Sequence, residues 1–189
     1  MKKIAIFASG SGTNFEAIAD AISKGLIPAE LALMVCDVPG AKVIKKAEKR
    51  GIDTLVFDPK AYENKKGYEM MIVEALKQKE VYFIVLAGYM RLLSNVLLDS
   101  YPNQIVNIHP SLLPAFKGKD AITQAIDYGV KVMGVSIHYV NQEMDGGAII
   151  AQKALEITGL THDEIETRIH HIEHQLYPET LNQLLKEHV

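Results

Sequence analysis

The sequence predicts an open, mostly parallel, twisted α/β sheet with helices on both faces and a late antiparallel strand pair. Three observations carry that expectation. Short runs rich in Val, Ile and Leu alternate with helical stretches over roughly the first ninety residues. Several of those runs, "VYFIVLAG" (Val81–Gly88) above all, are apolar at successive positions rather than at every second one. Strands of that composition are buried on both faces, as in a parallel sheet. The last two strand-like runs are separated by the short polar stretch "NQEMDG", a spacing that favours an antiparallel pair over a helical crossover.

In chain order, "KIAIFAS" (Lys3–Ser9) reads as the first strand, and "NFEAIADAISKG" as a helix stopped at Gly25. "ELALMVCD" (Glu30–Asp37) is the second strand, Ala41–Arg50 a helix ended by Gly51, and "DTLVFD" the third strand. A longer helix over Tyr62–Lys79 leads into Val81–Gly88, and Ile105–His109 follows as a fifth strand halted by Pro110. "VKVMGVSIHYV" (Val130–Val140) and "GAIIAQKALEI" (Gly147–Ile157) are the antiparallel pair. Thr161 and Glu164 make a capping box that opens a long helix. Its apolar face carries Ile165, Ile169, Ile172 and Leu176, and Pro178 is expected to interrupt it. Alternating strands and helices with short loops imply right-handed crossovers, hence a Rossmann-like topology. There is no repeat, low-complexity stretch or linker, so residues 1–189 read as one domain.

Composition bounds the function. A chain of 189 residues, 48% hydrophobic and 23% charged, is globular in character and long enough for a real core. Its net charge of −3 argues against nucleic acid, whose phosphates call for a basic excess. The five cations between Lys42 and Arg50 fall at helical spacing and read as a solvated helix face. Cys36, the single cysteine, reads as a small buried hydrophobe of a reduced, cytoplasmic protein. The apolar part of the N-terminus is too short for a signal peptide, and no run approaches the ~18 apolar residues of a membrane span.

Four stretches carry candidate chemistry. The loop "SGSGTN" (Ser9–Asn14) joins the first strand to its helix, where backbone N–H groups and a helix N-terminus attract an anion. The dinucleotide pattern G-x-G-x-x-G fails there, because its third glycine is Phe15. Asp37 nonetheless stands where a ribose-binding acid could, which leaves a nicotinamide reading open. "HHIEH" (His170–His174) matches H-x-x-E-H, but a zinc site needs a third protein ligand, only fifteen residues follow, and no complete ligand set is apparent, so no metal is expected. In "IVNIHPSLLPAFKG", alternation places Asn107 and His109 on one face of a strand tip. Asp145, in "NQEMDGG", is ordinary turn chemistry by itself. It becomes informative if the late strand pair lies beside Ile105–His109, because ligands bind beyond the carboxyl ends of parallel strands.

"NIHPSLLPAFKG" followed by "GVSIHYVNQEMDGGAIIAQ" resembles the formyltransferases that use 10-formyltetrahydrofolate. The resemblance spans essentially the whole chain, and "SGSGTN" with "LAGYMRLLS" points to the branch acting on glycinamide ribonucleotide in purine biosynthesis. It implies that Asn107, His109 and Asp145 are catalytic. It further implies that Gly12, Thr13 and Asn14 hold the ribonucleotide phosphate and that Glu173 contacts its glycinamide part. Met90, Arg91, Leu92 and Leu93, with Lys65 and Asn107, would line the folate site, and the Leu113–Pro114 bond would be cis. The phosphate half would then fall at about residues 1–90 and the folate and catalytic half at about 91–189. Asp120 departs from the His or Asn that relatives often carry. The partners implied are 10-formyltetrahydrofolate as formyl donor and the ribonucleotide, with neither nucleic acid nor membrane, in a monomer or homodimer.

Other readings stay open. Methionyl-tRNA formyltransferases share the core but add a C-terminal RNA-binding domain, and formyltetrahydrofolate hydrolases add an N-terminal one. Neither is expected in a chain whose first strand opens at Lys3. A sugar-nucleotide N-formyltransferase, or a non-catalytic nucleotide-binding module built on "SGSGTN" and Asp37, are the remaining alternatives.

Overall fold

Seven strands form one sheet in the computed structural model, which describes residues 1–187. They are β1 (Lys2–Ala8), β2 (Ala29–Cys36), β3 (Thr54–Val56), β4 (Phe83–Leu86), β5 (Ile105–His109), β6 (Val132–Tyr139) and β7 (Ile149–Glu156). Their order is β3-β2-β1-β4-β5-β6-β7. Strands β1 to β5 are parallel, β6 is antiparallel to β5, and β7 is antiparallel to β6. The chain builds outward from β1 through β2 and β3, then returns to β4 on the other side of β1. In open α/β sheets such a reversal of order is where a ligand cleft opens.

Side chains that alternate along β1 feed two cores. Ile4, Ile6 and Ala8 pack with α1 (Thr13–Ser23), α2 (Lys42–Lys49) and residues of α6 (His162–Glu187), while Ala5 and Phe7 pack with α3 (Lys65–Gln78) and Leu97 of α4 (Asn95–Ser100). Burial on both faces is why these strands show no polar alternation. The remaining helix, α5 (Ala121–Tyr128), lies between β5 and β6 in the chain and contributes Ala125 to the first core.

The structure departs from the sequence reading in three places. Strand ends are trimmed, most at β4, because pairing stops at Leu86 while the chain turns into the cleft. Helices α4 and α5, of six and eight residues, are not expected from the sequence. Pro178 does not interrupt α6, which runs unbroken from His162 to Glu187. A mid-helix proline costs about 3 kcal/mol. Here Leu176 and Tyr177 before it, and Leu181, Leu184 and Leu185 after it, are all buried. Each such burial is worth roughly 1.5–3 kcal/mol, enough to hold both halves on the sheet.

The helices α1, α2 and α3 end alike. An apolar residue two past the C-cap donates its N–H back into the helix: Leu26 to Ala21, Ile52 to Ala47, Val81 to Leu76. The residue between is left-handed in each case: Gly25, Gly51 and Glu80. This is the Schellman stop. Among the described residues no helix is long and apolar enough to cross a membrane.

Candidate active site

Strand β5 delivers Asn107 and His109 to the carboxyl edge of the sheet, and β6 lies against it with Asn107 opposite His138 and His109 opposite Ser136. The buried His109 ring is fixed at one nitrogen, with Nε2 donating to the Phe116 carbonyl at 2.8 Å. Its Nδ1 lies 3.5 Å from Asp145 Oδ2. That carboxylate oxygen also accepts from Gly118 N–H at 2.9 Å, which ties the loop after Pro114 to the loop between β6 and β7. Asp145 itself is left-handed, a conformation aspartate tolerates better than most residues. Of the glycines that follow, Gly147 has no alternative, since a Cβ there would lie 1.6 Å from the Tyr139 carbonyl oxygen. "DGG" is therefore the sequence of a backbone pressed against β6 so that Asp145 can reach His109.

His138 completes the group and was not evident from the sequence. Its Nδ1 lies 2.8 Å from the Tyr139 carbonyl, which can only accept, so Nδ1 carries the proton. Nε2 is then a lone pair, and the Asn107 amide donates to it at 3.3 Å. Burial pushes the His138 pKa below its ordinary value, against the raising influence of the Tyr139 carbonyl and Asp145. The ring is neutral and fixes which way the Asn107 amide points. Ser136, two residues earlier on the same face, supports the adjoining loop. It donates to the Ser111 carbonyl and accepts from Leu113 N–H and Gln152. The Leu113–Pro114 peptide is cis.

Strand β1 ends at the first βα turn, two strand spacings (roughly 10 Å) from β5. Gly12 is the N-cap of α1, with φ +76 and no side-chain cap. A Cβ on Gly12 would strike Val43 at 2.6 Å. The first-turn N–H groups of an α-helix have no intrahelical acceptor and carry partial positive charge. Asn14 Nδ2 donates to Glu173 Oε2 at 3.4 Å, and Asn14 Oδ1 is buried with no hydrogen-bond partner in the structure. Glu173 is buried on α6 and also accepts from His170 Nδ1 at 3.0 Å, which raises the His170 pKa. One turn further on, the Tyr177 hydroxyl donates to the Leu86 carbonyl at 2.8 Å. Helix α6 thus joins the α1 turn to the β4 and β5 ends.

Beyond β4, Met90 and Leu92 are 69% and 51% exposed, an apolar wall left open to solvent. Leu93 packs partly against the core, and Lys65 Nζ holds the Leu92 carbonyl at 2.8 Å. Asp37 is not offered to a ribose, because both its oxygens are engaged, by Ser9 and by Arg91. Asp120 occupies the N-cap position of α5, left-handed and exposed, without a side-chain cap hydrogen bond. Among the described residues, the three-residue grouping that could hold a metal is not "HHIEH" but His162, Asp163 and Glu166, all exposed.

The formyl transferase family matches residues 2–181. The phosphoribosylglycinamide formyltransferase of Bacillus subtilis (strain 168) is 54% identical over 188 residues, covering 98% of this chain and 95% of that one. The crystal structure of phosphoribosylglycinamide formyltransferase from Bacillus halodurans matches with a TM-score of 0.96 at 51% identity, covering 100% of this chain and 97% of the other. Glycinamide ribonucleotide transformylase 1 from Geobacillus kaustophilus matches with a TM-score of 0.96 at 53% identity, covering 98% and 99%. A family match over nearly the whole length, with relatives more than half identical in sequence and the same fold in their crystal structures, leads to one conclusion: the chain belongs to the formyl transferase family.

Proposed function

We propose that the protein transfers the formyl group of 10-formyltetrahydrofolate to the amine of glycinamide ribonucleotide in purine biosynthesis. The observation that carries this reading is the meeting of Asn107, His109 and Asp145 at the β5 tip, beside a helix N-terminus without a side-chain cap. Relatives of near-equal length that bear this activity in their names support it.

The amine nitrogen forms a bond to the formyl carbon, and the carbonyl π pair moves onto oxygen. Asn107 has a second amide hydrogen free of His138, and a protonated His109 has a donor at Nδ1. Such donors stabilise the developing oxyanion, each worth ~10²–10³ in turnover. Asp145, near Nδ1, takes the proton that the amine loses, directly or through one water. Collapse of the intermediate breaks the bond from carbon to the folate nitrogen, which receives the proton. No covalent nucleophile is needed: Cys36 is buried, and the Ser111 hydroxyl is held on the Ala115 carbonyl.

The ribonucleotide phosphate would rest on the N–H groups of Thr13 and Asn14, with Gly12 allowing the close approach. The glycinamide part, a donor, would meet the Glu173 carboxylate and the unpartnered Asn14 Oδ1. The pterin would lie against Met90–Leu93, with Lys65 at the rim. Mixing the protein with 10-formyltetrahydrofolate, with and without glycinamide ribonucleotide, tests the reading. Tetrahydrofolate should appear only when the ribonucleotide is present. Release without it would mark a hydrolase, and no release a non-catalytic binding module.

A further inference from the structure

Asp37 closes β2 and is 4% exposed, a carboxylate taken out of water. Its Oδ1 accepts from the Ser9 hydroxyl, and its Oδ2 accepts from Arg91 Nε at 2.8 Å. The same Ser9 oxygen accepts from Met90 N–H at 2.9 Å. These residues follow β2, β1 and β4, three neighbouring strands, so the bonds run sideways along the carboxyl edge of the sheet. They join the first residue of the glycine loop to the segment Met90–Leu93.

Packing holds that segment only through Leu93, since Met90 and Leu92 are mostly exposed. Its anchors are polar. Ser9 holds Met90, Asp37 holds Arg91, Lys65 holds the Leu92 carbonyl, and the buried Glu69 accepts from Ser94 N–H. Among these, Asp37 both grips a segment side chain and orients the hydroxyl that grips the segment backbone. Asp37 is the buried member of the pair, while the Arg91 side chain keeps 39% of its surface exposed, so it is the carboxylate that needs both donors to stay compensated. An apolar wall that is ordered beforehand spares the ligand the entropy of ordering it.

We propose that Asp37 is a positioning residue that holds Met90–Leu93 in its ligand-receiving conformation, acting through Ser9 and Arg91. This rests on the reading of that segment as the folate wall. Asp37→Asn keeps the volume but puts one donor and one acceptor where two donors, Ser9 O–H and Arg91 Nε–H, must both be received. The wall loosens while Gly12–Asn14 and Glu173 are untouched.

Steady-state kinetics with 10-formyltetrahydrofolate and glycinamide ribonucleotide test this on three variants: Asp37→Asn, Ser9→Ala and Leu92→Asp. Asp37→Asn should raise the folate KM about tenfold and leave the ribonucleotide KM within about twofold. Ser9→Ala should shift the same constant the same way by less, and it decides the matter if Asp37→Asn does not fold. A purely structural role would raise both KM values together, and that outcome, or an unchanged folate KM, overturns the proposal. Leu92→Asp separates the two layers of inference. If it raises the folate KM while the other two variants do not, only the role of Asp37 falls. If it leaves the folate KM unchanged, the folate wall falls and the role of Asp37 with it.

Discussion

Asn107 and His138 face each other across the β5–β6 ladder, 3.3 Å from amide nitrogen to Nε2, and the contact exists only while the imidazole is neutral. A protonated Nε2 would oppose donor to donor and turn the amide. Because burial lowers the His138 pKa, the unfolded chain takes up this proton before the folded one does. The stability His138 contributes is therefore complete above its unfolded value, about 6.5, and is lost as pH falls through and below it.

His138→Phe preserves bulk and removes the acceptor. The expected result is a fall in kcat of about ten- to a hundredfold from misplacement of Asn107, with both KM values little changed. Melting curves between pH 5 and 8 should also lose the part of the acid destabilisation due to this ring. A variant with normal kcat would show that the Asn107 amide needs no such guide.

Asp145→Asn retains shape and can still accept from Gly118 N–H, but removes the negative charge beside His109. Turnover should fall on the order of 10²–10⁴, the range for general acid–base groups. Binding of either substrate alone, followed by calorimetry, should be nearly unaffected. Near-normal turnover would reduce Asp145 to a turn residue.

Gly12→Val places a branched side chain at φ +76 and against Val43. Left-handed backbone costs a non-glycine residue ~1–2 kcal/mol. The loop should shift, and the KM for the ribonucleotide should rise far more than that for the folate. Equal effects on the two constants would remove the phosphate from this turn.

Exhaustive chelation should leave turnover unchanged, and His174→Ala should stay substantially active. Glu173 is instead committed to Asn14 and His170. Activity lost to a chelator and restored by zinc would return "HHIEH" to consideration as a metal site.

Much of this was legible in the residues. Strands buried on both faces announce a parallel sheet, and the β5 alternation places Asn107 with His109 without any structure. The rest depends on register. His138 lies in a strand of eight residues whose sequence, "VMGVSIHY", shows only a polar pair two apart. Nothing local says that Ser136 and His138 face the same side as Asn107 and His109. Asp37 reads as a ribose-binding acid until Arg91, 54 residues away in sequence, is seen to occupy it. Pro178 misleads for a similar reason, since the burial that outweighs it comes from the sheet.

The Schellman stops have a consequence for how this chain tolerates change. They return the backbone to the amino ends of β2, β3 and β4, the side of the sheet opposite to Asn107, His109 and Gly12. One end of the molecule is thus constrained by chemistry and the other only by the handedness of a turn. Glu80 shows how loose the second constraint is, since an ordinary residue takes the place that glycine holds at Gly25 and Gly51. Insertions, tags and drift in length belong at those returns: a short peptide spliced after Gly51 should cost stability but spare catalysis, whereas one after Gly12 should abolish it.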